Sequence, residues 1–190
     1  TRKLIVQAVL QVLKSRDFVE DGHGDRLEQM ITDLARRCGV KEQELPKLQL
    51  LAQFHDVGKV GIADSILFKP AVYSDEERQI IRTHSEIGYR IARLSPELEP
   101  IADWILKHHE WWNGQGYPTG AKGEEIPQAC RLLAVVDSFD AMTHDRVYRT
   151  TVTQQEALAE IRRCAGVQFD PVVAAAFVEM MDTVENRAIG

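Results

Sequence analysis

Apolar residues recur every three to four positions along almost the whole chain, and no segment alternates convincingly as a strand. A first helix is predicted over residues 1–15, where Leu4, Ile5, Ala8, Val9 and Val12 share one face. The same helical period continues over residues 26–38, 42–57, 63–68, 75–94, 95–110, 127–140, 153–164 and 171–184. The pattern therefore predicts an all-α fold, a bundle of helices without a sheet.

Local signals set several of these boundaries. Gly39 follows the helix over 26–38 in a C-terminal stop position. Ser74, followed by two acidic residues, is a typical N-terminal cap. Residues 113–123 carry four glycines and one proline and must form a loop. A long loop of this kind in a compact domain is more often functional than idle.

Composition narrows the class of protein. With 190 residues, of which 44% are hydrophobic and 27% charged, the chain fits one globular domain. The net charge of −6 argues against binding to polymeric nucleic acid. No apolar stretch reaches the length of a membrane span. The three widely spaced cysteines suggest reduced thiols and a cytoplasmic location.

The chain begins at Thr1 without a methionine, so we expect a fragment of a longer signalling protein. Residues 1–190 would form one domain. Residues 1–15 would connect it to an upstream sensor, and their apolar face would be either a homodimer seam or core.

Histidine and aspartate carry the candidate chemistry. Imidazole and carboxylate suit Fe, Mn or Zn, and a carboxylate can bridge two cations. Paired metals are a known route to phosphodiester hydrolysis. The candidate ligands are His23, His55, Asp56, His84, His108, His109 and Asp137.

Some of these candidate ligands also have a simpler, non-metal interpretation. An isolated His55-Asp56 pair would usually be a surface pair near a helix end. Asp137 follows three apolar residues and needs a cation or strong donors, which an arginine could also supply. Asp140, one turn later, competes with it. His144 is interpreted as a surface residue, and the prediction depends on the whole set.

At these residues the chain resembles the HD-GYP family of the HD phosphohydrolase superfamily. The matching segments are HDVGKVGIAD at 55–64, HHEWWNGQGYP at 108–118 and IPQACRLLAVVDSFDAMTHDRVYR at 126–149. The resemblance implies a helical bundle with a glycine-rich GYP loop that cleaves cyclic di-GMP, a bacterial second messenger in signal transduction. The products would be the linear dinucleotide pGpG and, after a second cut, GMP. It also implies docking of diguanylate cyclase domains through the loop.

The resemblance further implies two divalent metal ions, with Fe or Mn favoured and Zn an alternative. One would be held by His23, His55, Asp56 and Asp137, the other by Asp56, His84, His108 and His109. Val19 stands where some members have a glutamate for a third metal, so two ions are expected. Trp111 and Asn113 depart from the family pattern in the loop, and Val147 departs from it beyond Asp137.

Substrate contacts are expected beside the metals. Asp56 and Lys59 are the predicted catalytic residues, with Lys59 contacting the scissile phosphate. Arg146 and Arg149 resemble phosphate-binding positions. Trp111 and Tyr117 would stack on guanine, or else pack under the loop. The departures in the loop leave two alternatives open: an HD phosphohydrolase for another cyclic dinucleotide or nucleotide, and a non-catalytic docking module.

Overall fold

A computed structural model describes residues 22–144 and 152–188, with side chains described as far as residue 183. The predicted helix over residues 1–15 lies outside this part of the chain, as do Arg146 and Arg149. The helices are α1 (His23–Arg37), α2 (Leu45–Phe54), α3 (Asp64–Leu67), α4 (Asp75–Arg82), α5 (His84–Arg93), α6 (Ala102–Lys107), α7 (Gln128–Thr143), α8 (Gln154–Cys164) and α9 (Pro171–Ala188). Short 3-10 turns cover Glu42–Glu44, Val57–Gly61, Glu99–Ile101 and Gly123–Glu125. The predicted all-α fold is confirmed.

Helices α1, α2 and α7 build the core around which the site is arranged. Leu27, Ile31 and Leu34 are fully buried on one face of α1, at the spacing that a helix brings into line. Helix α1 packs against both α2 and α7. Helix α7 is buried on most of its surface, which matches the long apolar run of its sequence. Among the described residues, no helix is both long and apolar enough to cross a bilayer.

Helix α2 is shorter than the helix predicted over residues 42–57. It ends at Phe54, so His55 and Asp56 lie in the bend before the Val57–Gly61 turn. Gly58 explains the bend: a Cβ at this position would collide with the carbonyl oxygen of His84 and lie 2.5 Å from the backbone nitrogen of Gly88. Only glycine therefore lets this turn approach α5, and the approach brings Asp56 towards His84.

The predicted helices over 75–94 and 95–110 are both interrupted. Thr83 separates α4 from α5, and its hydroxyl donates to the carbonyl oxygen of Ile80 at 2.6 Å. Such a local side-chain bond competes with the helical ladder. Pro100 lies in the Glu99–Ile101 turn, and α6 begins only after it. The break at Thr83 lets His84 open α5, and His108 directly follows the last residue of α6, Lys107.

Residues 111–122 form no regular helix or strand, as the glycines predict. This segment, called the glycine-rich loop below, is attached to the turn between α8 and α9. The backbone N–H of Trp112 donates to the carbonyl oxygen of Gln168 at 3.1 Å, and that of Asn113 donates to Val167 at 3.0 Å. The loop is thus anchored at one end of the bundle, beside His108 and His109.

Candidate metal centre

Seven side chains that the sequence singled out lie in two neighbouring groups. His23, His55 and Asp137 form the first cluster, in which the possible ligand atoms lie within 4.8 Å of one another. Asp56, His84, His108 and His109 form the second cluster, with the same limit on their distances. The residues come from α1, the bend after α2, α5, the end of α6 and α7. The fold therefore brings together every described residue that was expected to bind metal.

Asp137 is the acidic member of the first cluster. Its Oδ1 lies 3.6 Å from Nε2 of His23 and 3.9 Å from Nε2 of His55. The ring centroids of the two histidines are 6.0 Å apart. One carboxylate oxygen thus faces two imidazole nitrogens. Together these three atoms are the kinds of ligand that a hard to borderline cation prefers.

Three histidines converge in the second cluster. Nε2 of His84 lies 3.3 Å from Nε2 of His108 and 3.1 Å from Nε2 of His109. Burial, with a contribution from His84, lowers the pKa of His109 to about 3. Burial and His109 hold the pKa of His108 well below its usual value, and burial lowers the pKa of His84. These imidazoles are therefore neutral at pH 7, the state in which histidine binds metals.

Asp56 lies between the two clusters and offers a different oxygen to each. Its Oδ2 is 3.5 Å from Nε2 of His55, whereas its Oδ1 is 3.4 Å from Nε2 of His84. Lys59 also donates to Oδ2 at 2.6 Å. Burial opposes ionisation of Asp56, but Lys59 and His55 outweigh it and hold the pKa of this carboxyl well below its usual value. Asp56 is consequently a carboxylate at neutral pH.

Three of the histidines are oriented by the same local bond. Nδ1 of His55, His84 and His108 lies 3.0, 2.7 and 2.6 Å from the carbonyl oxygen three residues earlier. A carbonyl oxygen can only accept, so Nδ1 carries the proton in each ring. In a neutral ring the opposite nitrogen, Nε2, then presents a lone pair to the centre of the site.

His23 is oriented from a distance instead. Its Nδ1 lies 2.6 Å from Oδ2 of Asp140, which is 117 residues away in sequence. Arg26 donates to both oxygens of the same carboxylate, at 2.6 and 3.0 Å. Burial opposes ionisation of Asp140, but these bonds from His23 and Arg26 lower the pKa of its carboxyl. Asp140 therefore holds a histidine of the first cluster from outside, whereas Asp137 is itself a member of that cluster.

The donor atoms fit bound cations better than they fit one another. Nε2 of His55 is buried and makes no hydrogen bond to any described residue. Nε2 of His84 faces Nε2 of His108 at 3.3 Å, and the carbonyl bonds at Nδ1 make both of these atoms acceptors. Two facing lone pairs and a buried nitrogen without a hydrogen bond are unfavourable unless a cation lies among them. Both clusters could hold metal ions.

The remaining predicted contacts are placed as follows. The Tyr117 ring stacks on His109 with centroids 4.8 Å apart and an angle of 26°. Trp111 is half-buried in the loop, where no ring contact is described for it. His144, predicted to be a surface residue, is partly exposed, and its Nδ1 lies 3.1 Å from Oδ1 of Asp140.

The sequence assigned no role to two residues that stand out in the structure, Asp140 and Glu110. Asp140 was considered only as a competitor of Asp137, and the arginine pairing considered for Asp137 belongs to Asp140. Their spacing of three residues places both on one face of α7, which was a usable signal. Glu110 was overlooked, although it is one of the few charged residues that are almost fully buried.

Comparisons with known proteins agree with this geometry. A sequence profile described as "HD domain" matches residues 7–173. A cyclic di-GMP phosphodiesterase of Thermotoga maritima is 38% identical over 178 residues, covering 92% of this chain and 48% of the relative. A 3'3'-cGAMP-specific phosphodiesterase of Vibrio cholerae is 31% identical over 184 residues, covering 96% of this chain and 35% of the relative.

A solved structure is also similar. The crystal structure of a cyclic GMP-AMP specific phosphodiesterase from Vibrio cholerae superposes with a TM-score of 0.66 at 26% sequence identity, covering 84% of this chain and 44% of that one. The chain thus spans about half or less of the length of the relatives it matches. The resemblance seen in the sequence is confirmed by a profile match over most of the chain, by these relatives and by the shared helical fold: the chain belongs to the HD domain family.

Proposed function

We propose that this chain is a metal-dependent phosphodiesterase domain that hydrolyses cyclic di-GMP to the linear dinucleotide pGpG. Two divalent cations would serve it, one in each cluster, with Asp56 bridging them. Fe or Mn is favoured, as the family resemblance implies, and the mixed imidazole and carboxylate donors would also accept Zn. The similarity to relatives named cyclic di-GMP phosphodiesterases supports the choice of substrate.

The arrangement of Asp56 is the observation that carries the proposal. Its two carboxylate oxygens face His55 and His84 at 3.5 and 3.4 Å, on the sides of the two clusters. A carboxylate placed in this way can ligate two cations at once. A single structural metal would need neither the second cluster nor the shared position.

The protein side chains would perform distinct tasks in hydrolysis. A pair of cations held by the two clusters would supply a nucleophile from water near neutral pH and would neutralise charge on the phosphate. The imidazoles of His55, His84 and His108, held by their Nδ1 bonds, would keep Nε2 directed at the centre without reorganisation. Lys59 would give up its bond to Asp56 once Asp56 serves as a ligand, and its ammonium group would then be available to the scissile phosphate.

A second substrate deserves a direct comparison. Relatives named as specific for 3'3'-cGAMP match 96% of this chain at 31% and 29% identity. The chemistry at phosphorus would be the same for both dinucleotides, so the metal centre does not discriminate between them. Discrimination between the two dinucleotides must come from contacts to the bases. That Trp111 and Tyr117 make such contacts stays a prediction. Docking of diguanylate cyclase domains and homodimer formation also stay predictions.

The test combines metal content with turnover on one sample. Protein purified anaerobically is analysed for metal and then assayed with cyclic di-GMP, 3'3'-cGAMP and cyclic di-AMP. About two metals per chain with pGpG as the main product would support the proposal. Faster turnover of 3'3'-cGAMP would favour the second substrate. If the protein held no metal after supplementation with Mn and Fe, the proposed two-metal site would be wrong.

A further inference from the structure

Glu110 is a buried acidic residue that forms no salt bridge with any described residue. It directly follows His109, and only 3% of its surface is exposed. Its Oε1 accepts two hydrogen bonds, from the backbone N–H and the hydroxyl of Thr119, both at 2.7 Å. Its Oε2 is buried without a hydrogen-bond partner among the described residues. Burying such a group is unfavourable, so its position calls for a reason beyond stability.

The two bonds from Thr119 close the glycine-rich loop against the metal centre. Between Glu110 and Thr119 the chain turns back sharply: a Cβ on Gly116 would lie 2.5 Å from both Cα of Glu110 and the carbonyl oxygen of His109. The N–H of Tyr117 donates to that same carbonyl oxygen at 3.1 Å. The Tyr117 ring is thereby placed on the His109 ring, at 4.8 Å between centroids.

His109 needs this support more than the other ligands do. His55, His84 and His108 each donate from Nδ1 to a backbone carbonyl oxygen, and His23 bonds Asp140. For Nδ1 of His109, no hydrogen bond to a described residue is found. Its orientation is set instead by ring contacts, with Tyr117 at 4.8 Å and His108 at 4.0 Å.

We propose that Glu110 is a positioning residue for the second cluster. By holding Thr119, it keeps Tyr117 stacked on His109 and so directs Nε2 of His109 towards Nε2 of His84. The glycine-rich loop is then part of the metal centre, although none of its residues is a ligand. This inference deepens the proposed function and rests on the metal site described there.

The first test needs no metal and no substrate. The imidazole protons of His109 lie under the Tyr117 ring, so their NMR signals carry a ring-current shift, and the chain has only six histidines to assign. The variants are Glu110→Ala and Thr119→Val, with Thr119→Ser as the conservative variant that keeps both donors. Glu125→Ala is the matched control, because Glu125 also accepts a backbone N–H, from Lys122 at 3.1 Å, but is exposed.

The expected result is a loss of the ring-current shift at His109 in Glu110→Ala and Thr119→Val only. An unchanged His109 signal in both of these variants would overturn the proposal, as would an equal change in Glu125→Ala. If Glu110→Ala does not fold, Thr119→Val decides, because it removes one donor and keeps the backbone N–H.

The second test measures metal affinity at the two clusters separately. Loss of a group that orients a ligand typically weakens metal binding by about 10- to 100-fold. We expect this loss for the second metal in Glu110→Ala, a smaller loss in Thr119→Val and an unchanged first metal in both. A lower melting temperature with unchanged affinity for both metals would reduce Glu110 to a structural residue. Absence of turnover by the unaltered protein would instead contradict the proposed substrate alone.

Discussion

The two clusters of the metal centre are built from different kinds of support. The second cluster depends on short-range contacts, because His84 and His108 donate to the carbonyl oxygens three residues before them. The first cluster depends on a contact across the sequence, since Asp140 holds His23 from a distance of 117 residues. Arg26 in turn fixes Asp140. The comparison teaches that two histidines of the second cluster are oriented by their own helix ends, whereas His23 in the first cluster is oriented only when α1 packs on α7.

Asp56 is the one ligand that both halves share, and its loss should have the largest effect. In Asp56→Ala both cations lose a ligand, while the fold is retained because Asp56 lies in a turn rather than in the core. We expect turnover to fall by more than the roughly 100-fold that loss of an orienting group costs. Metal content and turnover would be measured together, with Asp103→Ala as an exposed control. Full activity in Asp56→Ala would refute the bridging role.

Removing the long-range support should separate the two halves. Asp140→Asn removes the negative charge that Arg26 and His23 both contact, and it loosens the orientation of His23. Breaking such a pair destabilises a protein by about 3 kcal/mol, and metal affinity at the first cluster should fall by up to about 100-fold. Thermal unfolding and metal titration would measure the two effects.

Asp170→Asn is the matched control for that change. Asp170 is also buried and is also paired with an arginine, Arg131, at 2.6 Å, but it caps α9 away from the first cluster. It should reduce stability without changing the affinity of the first cluster. Equal loss of affinity in both variants would mean that general destabilisation, and not the orientation of His23, explains the result.

Lys59 tests whether the centre is catalytic as well as metal-binding. In Lys59→Ala we expect turnover to fall by about tenfold, the effect of losing one charge-assisted contact to the phosphate. Metal affinity should be equal or higher, because the cation that competes for Asp56 has gone. Lys47→Ala is the control, since Lys47 makes a similar bond to Glu44 three residues away but on the surface. A fall in metal content with Lys59→Ala would assign it a structural role instead.

The smallest effect is expected from Tyr117→Phe. The variant keeps the ring that stacks on His109 and removes only the hydroxyl, so affinity for the second metal should stay within about twofold. Tyr117→Ala, by contrast, should imitate Glu110→Ala. If Tyr117→Phe raises KM strongly while metal binding is unchanged, Tyr117 contacts substrate through its hydroxyl.

Much of the centre could be predicted from the sequence because its signals are local. The His55-Asp56 and His108-His109 pairs, the capping residue Ser74 and the loop glycines each act within a few residues of their position. Ser74 caps α4 as predicted, with its hydroxyl accepting from the N–H of Glu77 at 3.2 Å. The second cluster is assembled largely from such segments.

What the sequence did not yield depends on contacts between distant segments. The bend at His55-Asp56 requires the close approach of Gly58 to α5, which no local pattern encodes. The role of Asp140 requires Arg26, 114 residues earlier. Glu110 carries no local signal of its role, because its partner Thr119 is brought back only by the turn at Gly116.

The most direct test of the two-cluster account is a crystal structure of the Mn-loaded protein with anomalous scattering at the Mn edge. The account predicts two anomalous peaks about 3.5–4 Å apart, each bound by a different oxygen of Asp56. One peak should be surrounded by His23, His55 and Asp137, and the other by His84, His108 and His109. A single peak, or two peaks that do not share Asp56, would contradict it.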